Sequence, residues 1–307
     1  FSKYIEWNYK YDCIDQNFES ELVYLAIKNL CKANTYERLL SLYEGNNTDN
    51  ASVQAFREFS KGKILGYIHG VVFPFNLRLF RSSLENNYSP VSDLLVSSGK
   101  EITNLLSHYY GIYEQDSIIT GCSLREITIT KCFNQDMRLY NGTILVALDG
   151  MWTSVNLLDW LFNNYLHLNF EYNIILRGHP NLPIKALLKK TVNNLPENIS
   201  ISYNTLEYDL CHCFCVLYRH SSVGLQSLIN GLPAIHLNID LPINGDPISN
   251  YMNANFVVND VNELNLALLK IKTLTHSELY SLKLKSIEYS NTYFTPPNRK
   301  SHKMFLS

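Results

Sequence analysis

Residues 143–180 read TILVALDGMWTSVNLLDWLFNNYLHLNFEYNIILRGHP, and the fold is decided there. Thr143 to Leu148 is a short apolar run that stops at Asp149-Gly150, the pattern of a buried strand closed by a turn. Ser154 to Leu166 follows with apolar residues at helical spacing. Tyr172 to Arg177 is a second buried run, and it stops at Gly178-His179-Pro180. Strand, helix, strand in that order is the unit from which parallel α/β sheets are built.

Downstream the alternation continues. Ile184 to Asn193 reads as a helix, Ile199 to Tyr203 and Phe214 to Tyr218 as strands, and the second of these runs into Arg219-His220-Ser221-Ser222. Val223 to Asn230 reads as a helix closed by Gly231, Ala234 to Leu237 as a further strand, and the C-terminus as helical. Upstream, Glu21 to Ala33 carries Leu22, Leu25, Ala26 and Leu30 at helical spacing, with Ser20 placed to cap it. A strand over Leu39 to Tyr43 ends at Glu44-Gly45. A helix over Asn50 to Ser60 follows, then a strand over Lys63 to His69 ending in Gly70. Beyond a loop containing Pro74 and Pro90 come a strand (Asp93 to Ser97), a helix (Lys100 to Tyr110) and a strand (Ser117 to Thr120). The polar stretch Asn134 to Gly142 interrupts the series. It is the expected boundary between a first domain over 1–140 and a second over 141–307, each an α/β domain with a parallel sheet.

Bulk properties agree with two cores. The chain has 307 residues, 46% of them hydrophobic and 18% charged, and single cores stop growing near ~250–300 residues. A formal net charge of −2 supplies no basic field for a nucleic-acid backbone or an anionic membrane. The seven cysteines do not fall into the framework of a secreted disulfide scaffold, so a cytoplasmic location is expected, if need be at the inner face of a membrane. No apolar run approaches the ~18 residues of a membrane span, and no signal peptide opens the chain. Because the first residue is Phe1 rather than a methionine, we expect a piece of a longer protein with strands upstream. Any peripheral membrane association would then run through segments outside these residues.

In open parallel sheets ligands sit beyond the carboxyl ends of the strands, and the polar turns above fall there. Ser221 and Ser222 open a helix whose free N–H groups suit a phosphate, with Arg219 and His220 beside them; plain capping would account for one serine. His179 is presented at a strand end by Pro180, which restricts the preceding backbone, and Arg177 lies just before. Asp149 reads either as a catalytic carboxylate or as the start of a turn. Glu44 and His69, at two strand ends of the first domain, are further catalytic candidates, each with a structural alternative. Cys211-His212-Cys213-Phe214-Cys215 would place three sulfurs on one strand face, without the second element a tetrahedral metal site needs, so structural thiols are expected. Phosphate-binding G-x-x-x-x-G-K-[ST], dinucleotide-binding G-x-G-x-x-G, nucleophile-elbow G-x-S-x-G and metal-binding Asp-x-Asp motifs are all missing from the sequence. That disfavours ATPase, dehydrogenase and hydrolase readings and leads us to expect no metal and no cofactor.

With these residues in hand, the chain resembles bacterial glycosyltransferases of the GT-B fold that build surface polysaccharides such as capsule and O-antigen. The resemblance is carried by LLSLYEGNNTDNASVQAFREFSKGKILGYIHGVVFP (39–74) in the first domain and by ILVALDG (144–150), ILRGHP (175–180) and VLYRHSSVGLQSLINGLPAIHL (216–237) in the second. An acidic-Gly, a His-Pro and a Ser-Ser motif in this order are similar to those of enzymes using CMP-activated ulosonic acids, the sialic, Kdo and pseudaminic acid transferases. The resemblance implies two Rossmann-like domains facing across a cleft, an acceptor side over 1–140 and nucleotide-sugar binding over 141–307. It implies a nucleotide-sugar donor and a glycan or glycolipid acceptor as partners. His179 and Ser221-Ser222 would hold the CMP phosphate, Pro180 would set the His179 loop, and Asp149 would be the catalytic carboxylate. Here the acidic motif is Leu148-Asp149-Gly150, with no second acidic residue, which leaves the role of Asp149 open. Three rival readings stand beside this one: a transferase with a diphosphate donor (CDP-glycerol, UDP- or GDP-hexose), a non-catalytic sugar- or nucleotide-binding module, and an epimerase of similar fold.

Overall fold

Every strand that the sequence ends in a polar turn lies parallel to its neighbours in one of two sheets. The computed structural model describes residues 2–73, 77–79, 90–109, 117–124, 142–168, 172–192, 194–239, 245–248 and 255–305. The chain divides into two compact units. The first comprises Phe1–Gly70, Asn76–Glu126 and Asn291–Ser307, and the second Val71–Phe75 and Ile127–Ser290. Most of the polar stretch expected to mark the boundary, 134–141, lies outside the described residues.

The first unit is built from α1 (Ser2–Ala33), β1 (Arg38–Leu42), α2 (Asn47–Phe59), β2 (Lys63–Ile68), β3 (Leu94–Ser97), α3 (Lys100–Asn104, which widens into a π turn over Leu105–Tyr109) and β4 (Ile118–Thr120). Its sheet runs β1-β2-β3-β4. Val53 and Phe56 of α2 cover Ile64 of β2, with Ile27 and Cys31 of α1 packed at the margin. Ser20, expected to cap a helix, sits inside α1 instead, because serine costs a helix interior only a few tenths of a kcal/mol (about 0.5) and the helix runs on through it. The capping box belongs to α2, where Asn46 and Asp49 exchange backbone hydrogen bonds.

The second unit contains β5 (Thr143–Ala147), α4 (Ser154–Asn164), β6 (Asn173–Arg177), α5 (Ile184–Thr191), β7 (Ile199–Ile201), α6 (Leu206–Cys211), β8 (Cys215–Tyr218), α7 (Val223–Ile229), β9 (Ala234–Leu237), β10 (Asn255–Val258), α8 (Val261–Thr273) and most of α9 (His276–Tyr293). Its six strands run β10-β9-β8-β5-β6-β7. The order grows outward from β5 in one direction and from β8 in the other, so the switch point lies between those two strands. All five residues of β5 are buried, as a central strand covered on both faces requires. Leu157, Leu158 and Leu161 of α4 and Leu264, Leu268 and Ile271 of α8 close over the sheet.

Two readings are corrected. The cysteine cluster is not one strand: Thr205 caps α6 by accepting from Tyr208 N–H at 3.3 Å, so Cys211 ends a helix and Cys215 begins β8. Cys211 is disulfide-bonded, whereas Cys213 and Cys215 are buried thiols. The C-terminal stretch is not wholly helical, since β10 adds an edge strand beside β9. The end of the chain, Asn291–Ser307, belongs to the first unit. Thr295 N–H donates to Ser98 O at 2.9 Å and Ser123 N–H to Thr295 O at 2.8 Å, while Phe305 packs edge-on against Tyr67. α10 (Arg299–Lys303) completes this return.

Candidate functional site

Of the turns at the carboxyl edge of the six-stranded sheet, those after β5, β6 and β8 carry the sequence candidates, and these three strands are neighbours. They come together. Gly150, after β5, lies against the imidazole of His179, after β6: a Cβ at Gly150 would stand 2.9 Å from its Nδ1 and 3.2 Å from its Cγ. Asp149 Oδ2 lies 3.7 Å from Nδ1 of His220, after β8. The acidic-Gly, His-Pro and Ser-Ser motifs therefore share one place, across the switch point.

Asp149 is only 6% exposed. Its Oδ1 accepts from Ser154 Oγ–H at 2.8 Å and from Met151 N–H at 2.8 Å, and Asp149 N–H reaches Ser154 Oγ at 3.1 Å. These bonds close a turn between β5 and the first residue of α4. Nδ1 of His179 accepts from Asn181 N–H at 3.2 Å. A ring nitrogen that accepts carries no proton, so the proton of the neutral ring is on Nε2, which is a donor. His220 is buried and its pKa is pushed down to about 3, first by burial and then by the Arg219 and His236 charges. It is neutral at pH 7.

Both arginines are held by the protein. Arg219, 2% exposed, donates Nη1 to Thr153 O at 3.0 Å and Nε to Ile239 O at 3.4 Å. Arg177 donates Nη1 to Asp209 Oδ2 at 2.6 Å and to Asn204 O at 2.9 Å. Ser221 is buried and accepts from Val223 N–H at 3.4 Å, while Ser222, partly exposed, is the residue preceding α7 and makes no side-chain cap bond. Pro180 is exposed beside His179. Under α7 lies Tyr218, whose ring would meet a Cβ at Gly224 at 2.6 Å and whose hydroxyl donates to Asp246 Oδ1 at 2.7 Å.

The first unit holds a second pair. Glu44 follows β1 and His69 follows β2, adjacent strands, and His69 Nε2 lies 3.4 Å from Glu44 Oε1. Their side chains are 52% and 33% exposed, so both groups reach solvent. Asp49 at the start of α2 accepts from the backbone N–H of Glu44 and Asn46, and Asn46 Nδ2 donates to Glu44 Oε2 at 3.1 Å. Gly45 has φ +75° and packs against the Arg78 carbonyl, a contact no side chain permits.

Sequence reasoning passed over Ser154, Asn181, Tyr218 and Asp246. Ser154 was legible as a helix start, but not as a partner for Asp149. Asp246 sits in a short turn with no periodic signal, and only its complete burial identifies it. Among the described residues no group of three or more His, Cys, Asp or Glu side chains is arranged to hold a metal, and no helix is long and apolar enough to cross a membrane.

The class these features define is the GT-B type of α/β fold, with parallel sheets of four and six strands. Solved structures carry the same architecture. A UDP-GlcNAc 2-epimerase from Neisseria meningitidis, bound to UDP-GlcNAc, matches with a TM-score of 0.60 at 12% identity over 94% of this chain and 81% of its own. The glycotransferase of kitacinnamycin matches with a TM-score of 0.56 at 12% identity over 97% and 84%. A glycosyltransferase from Rickettsia africae matches with a TM-score of 0.52 at 15% identity over 90% and 76%. No protein-family profile and no curated protein sequence matches the chain.

Proposed function

We propose that the protein is a glycosyltransferase that moves a CMP-activated ulosonic acid onto a hydroxyl of a bacterial surface glycan, without a metal. One observation carries the reading: three polar turns meet at the switch point of a parallel sheet, and one of them presents an Nε2–H donor on His179. A donor fixed there stabilises charge that grows on a departing phosphate. Ser222 and the backbone N–H groups at the start of α7 are the other phosphate-facing groups of this reading.

The chemistry is substitution at the anomeric carbon. The acceptor oxygen forms its bond as the bond to the CMP oxygen breaks, CMP leaves with the electron pair, and the acceptor proton passes to a base. Glu44 and His69 suit that role, the carboxylate exposed, the imidazole half-buried and the two paired at 3.4 Å, so the carboxylate steadies the imidazolium that forms.

A diphosphate donor is the second reading, favoured by the likeness to an epimerase bound to UDP-GlcNAc. Against it stands the charge at the site. Arg177 and Arg219 are engaged by Asp209 and by backbone carbonyls, which suits the single phosphate of a CMP-sugar better than two. A thermal-shift series with CMP, CDP, UMP, UDP and GDP separates the readings. We expect stabilisation by CMP of about 2.7 kcal/mol at a hundredfold excess over Kd, lost in Ser222→Ala. Stabilisation by the diphosphates alone transfers the assignment to the second reading, and a flat response removes both.

A further inference from the structure

We propose that the Asp149-Gly150 turn is not the source of the catalytic carboxylate but a positioning device that presets His179 as an Nε2–H donor to an anionic oxygen of the substrate. The part that names the ligand rests on the function proposed above; the part that names the tautomer does not.

Three observations carry it. First, Asp149 is turned into the fold and only 6% exposed. Oδ1 accepts two hydrogen bonds within its own turn, and Oδ2 faces the buried ring of His220 at 3.7 Å. Second, the turn it closes places Gly150 flat against His179, within 2.9–3.2 Å of three ring atoms for any added Cβ. A side chain at position 150 would push the ring off its present plane. Third, the ring so placed accepts from Asn181 N–H at 3.2 Å, within a turn in which Leu182 N–H donates to His179 O at 3.0 Å. Glycine on one face and an amide on one edge leave Nε2–H as the edge that can meet a ligand. A neutral donor there recognises an anionic oxygen such as that of a nucleoside phosphate without adding charge.

Asp149→Asn is the deciding variant, because an amide oxygen still accepts from Ser154 and Met151 while its NH2 faces His220. A catalytic base replaced by an amide loses about 10²–10⁴ in rate. A residue that positions by accepting two bonds on Oδ1 keeps them as an amide, so Asp149→Asn should hold kcat within about threefold, whereas Asp149→Ala, which loses both bonds, should weaken CMP binding about tenfold. Gly150→Ala is expected to weaken CMP binding about tenfold. Side-chain ¹⁵N spectra at pH 8 supply a readout that needs no activity: the wild type should show His179 with Nδ1 bare and Nε2 protonated, and Gly150→Ala should lose that pattern. An Nδ1–H tautomer in the wild type, an unchanged pattern in Gly150→Ala, or a hundredfold loss of kcat in Asp149→Asn with CMP affinity intact overturns the proposal. Should no nucleotide bind the wild type, the proposed donor is lost while the spectra still decide the positioning role.

Discussion

His220 shows how a buried titratable residue taxes the fold. Its folded pKa, pushed down to about 3 by burial, Arg219 and His236, lies below the value of about 6.5 for a free imidazole. The unfolded chain therefore binds a proton that the folded chain refuses. The sign follows: stability is undiminished above pH 6.5 and falls as the pH drops from there toward 3, by about 1.4 kcal/mol per pH unit for one proton. His236, also lowered chiefly by burial, adds to the same slope. Urea titrations of the wild type and His220→Gln at pH 7.5, 6.0 and 5.0 check this. The variant should be the less acid-sensitive of the two, and equal slopes would mean that His220 is protonated in the folded state. At this scale sequence reasoning saw the residues but not their directions. Arg219 was legible as a cation beside two serines, yet nothing in the order of residues shows that its guanidinium turns inward to Thr153 and Ile239.

At the scale of elements, most strands and helices were legible because each is short, strongly apolar or periodic, and punctuated by a polar turn. The bounds of β9 are those read from Ala234 to Leu237; most others shift by one to three residues where ends fray, while α1 begins at Ser2 rather than Glu21. What escaped was decided by tertiary partners. α6 has only six residues, too few for a periodic signal, and a buried carboxylate anchors it. Asp209, 1% exposed, accepts from Arg177 at 2.6 Å and from Ser202 at 2.6 Å, which ties α6 to the ends of β6 and β7. Arg177 is thus engaged by Asp209 and Asn204 although it neighbours the His-Pro turn. Arg177→Ala, by leaving Asp209 short of its charged partner, should cost about 3–5 kcal/mol of stability. Calorimetric titration of the folded variant with CMP should return the wild-type affinity. A large loss of affinity with little loss of stability would instead return Arg177 to the phosphate.

For the whole molecule, the alternation of elements foretold two parallel sheets but not where the chain ends its path. A return of the C-terminus to the first unit depends on contacts between residues far apart in sequence, and no local pattern encodes it. The contacts are substantial. Tyr293 is fully buried, its backbone lies against Gly99 where a Cβ would stand 2.1 Å from the Tyr293 carbonyl oxygen, and Thr295 bridges Ser98 and Ser123 through main-chain hydrogen bonds. Gly99 precedes α3 and Ser98 follows β3, so the segment 291–307 buttresses the carboxyl edge of the first sheet, the same edge that carries His69. Removing it exposes Tyr67 and leaves the amide of Ser123 and the carbonyl of Ser98 without these partners, a change worth several kcal/mol (about 3–6) by the cost of lost aromatic burial and unpaired backbone groups. A chain ending at Ser290 should therefore lose amide-exchange protection in β2, β3 and β4, while β5, β6 and β8 keep theirs, because their core is made by α4 and α8. Uniform loss across both sheets would mean that the two units unfold as one cooperative body. Unchanged protection in the first sheet would mean that the returning segment rests on that unit without supporting it.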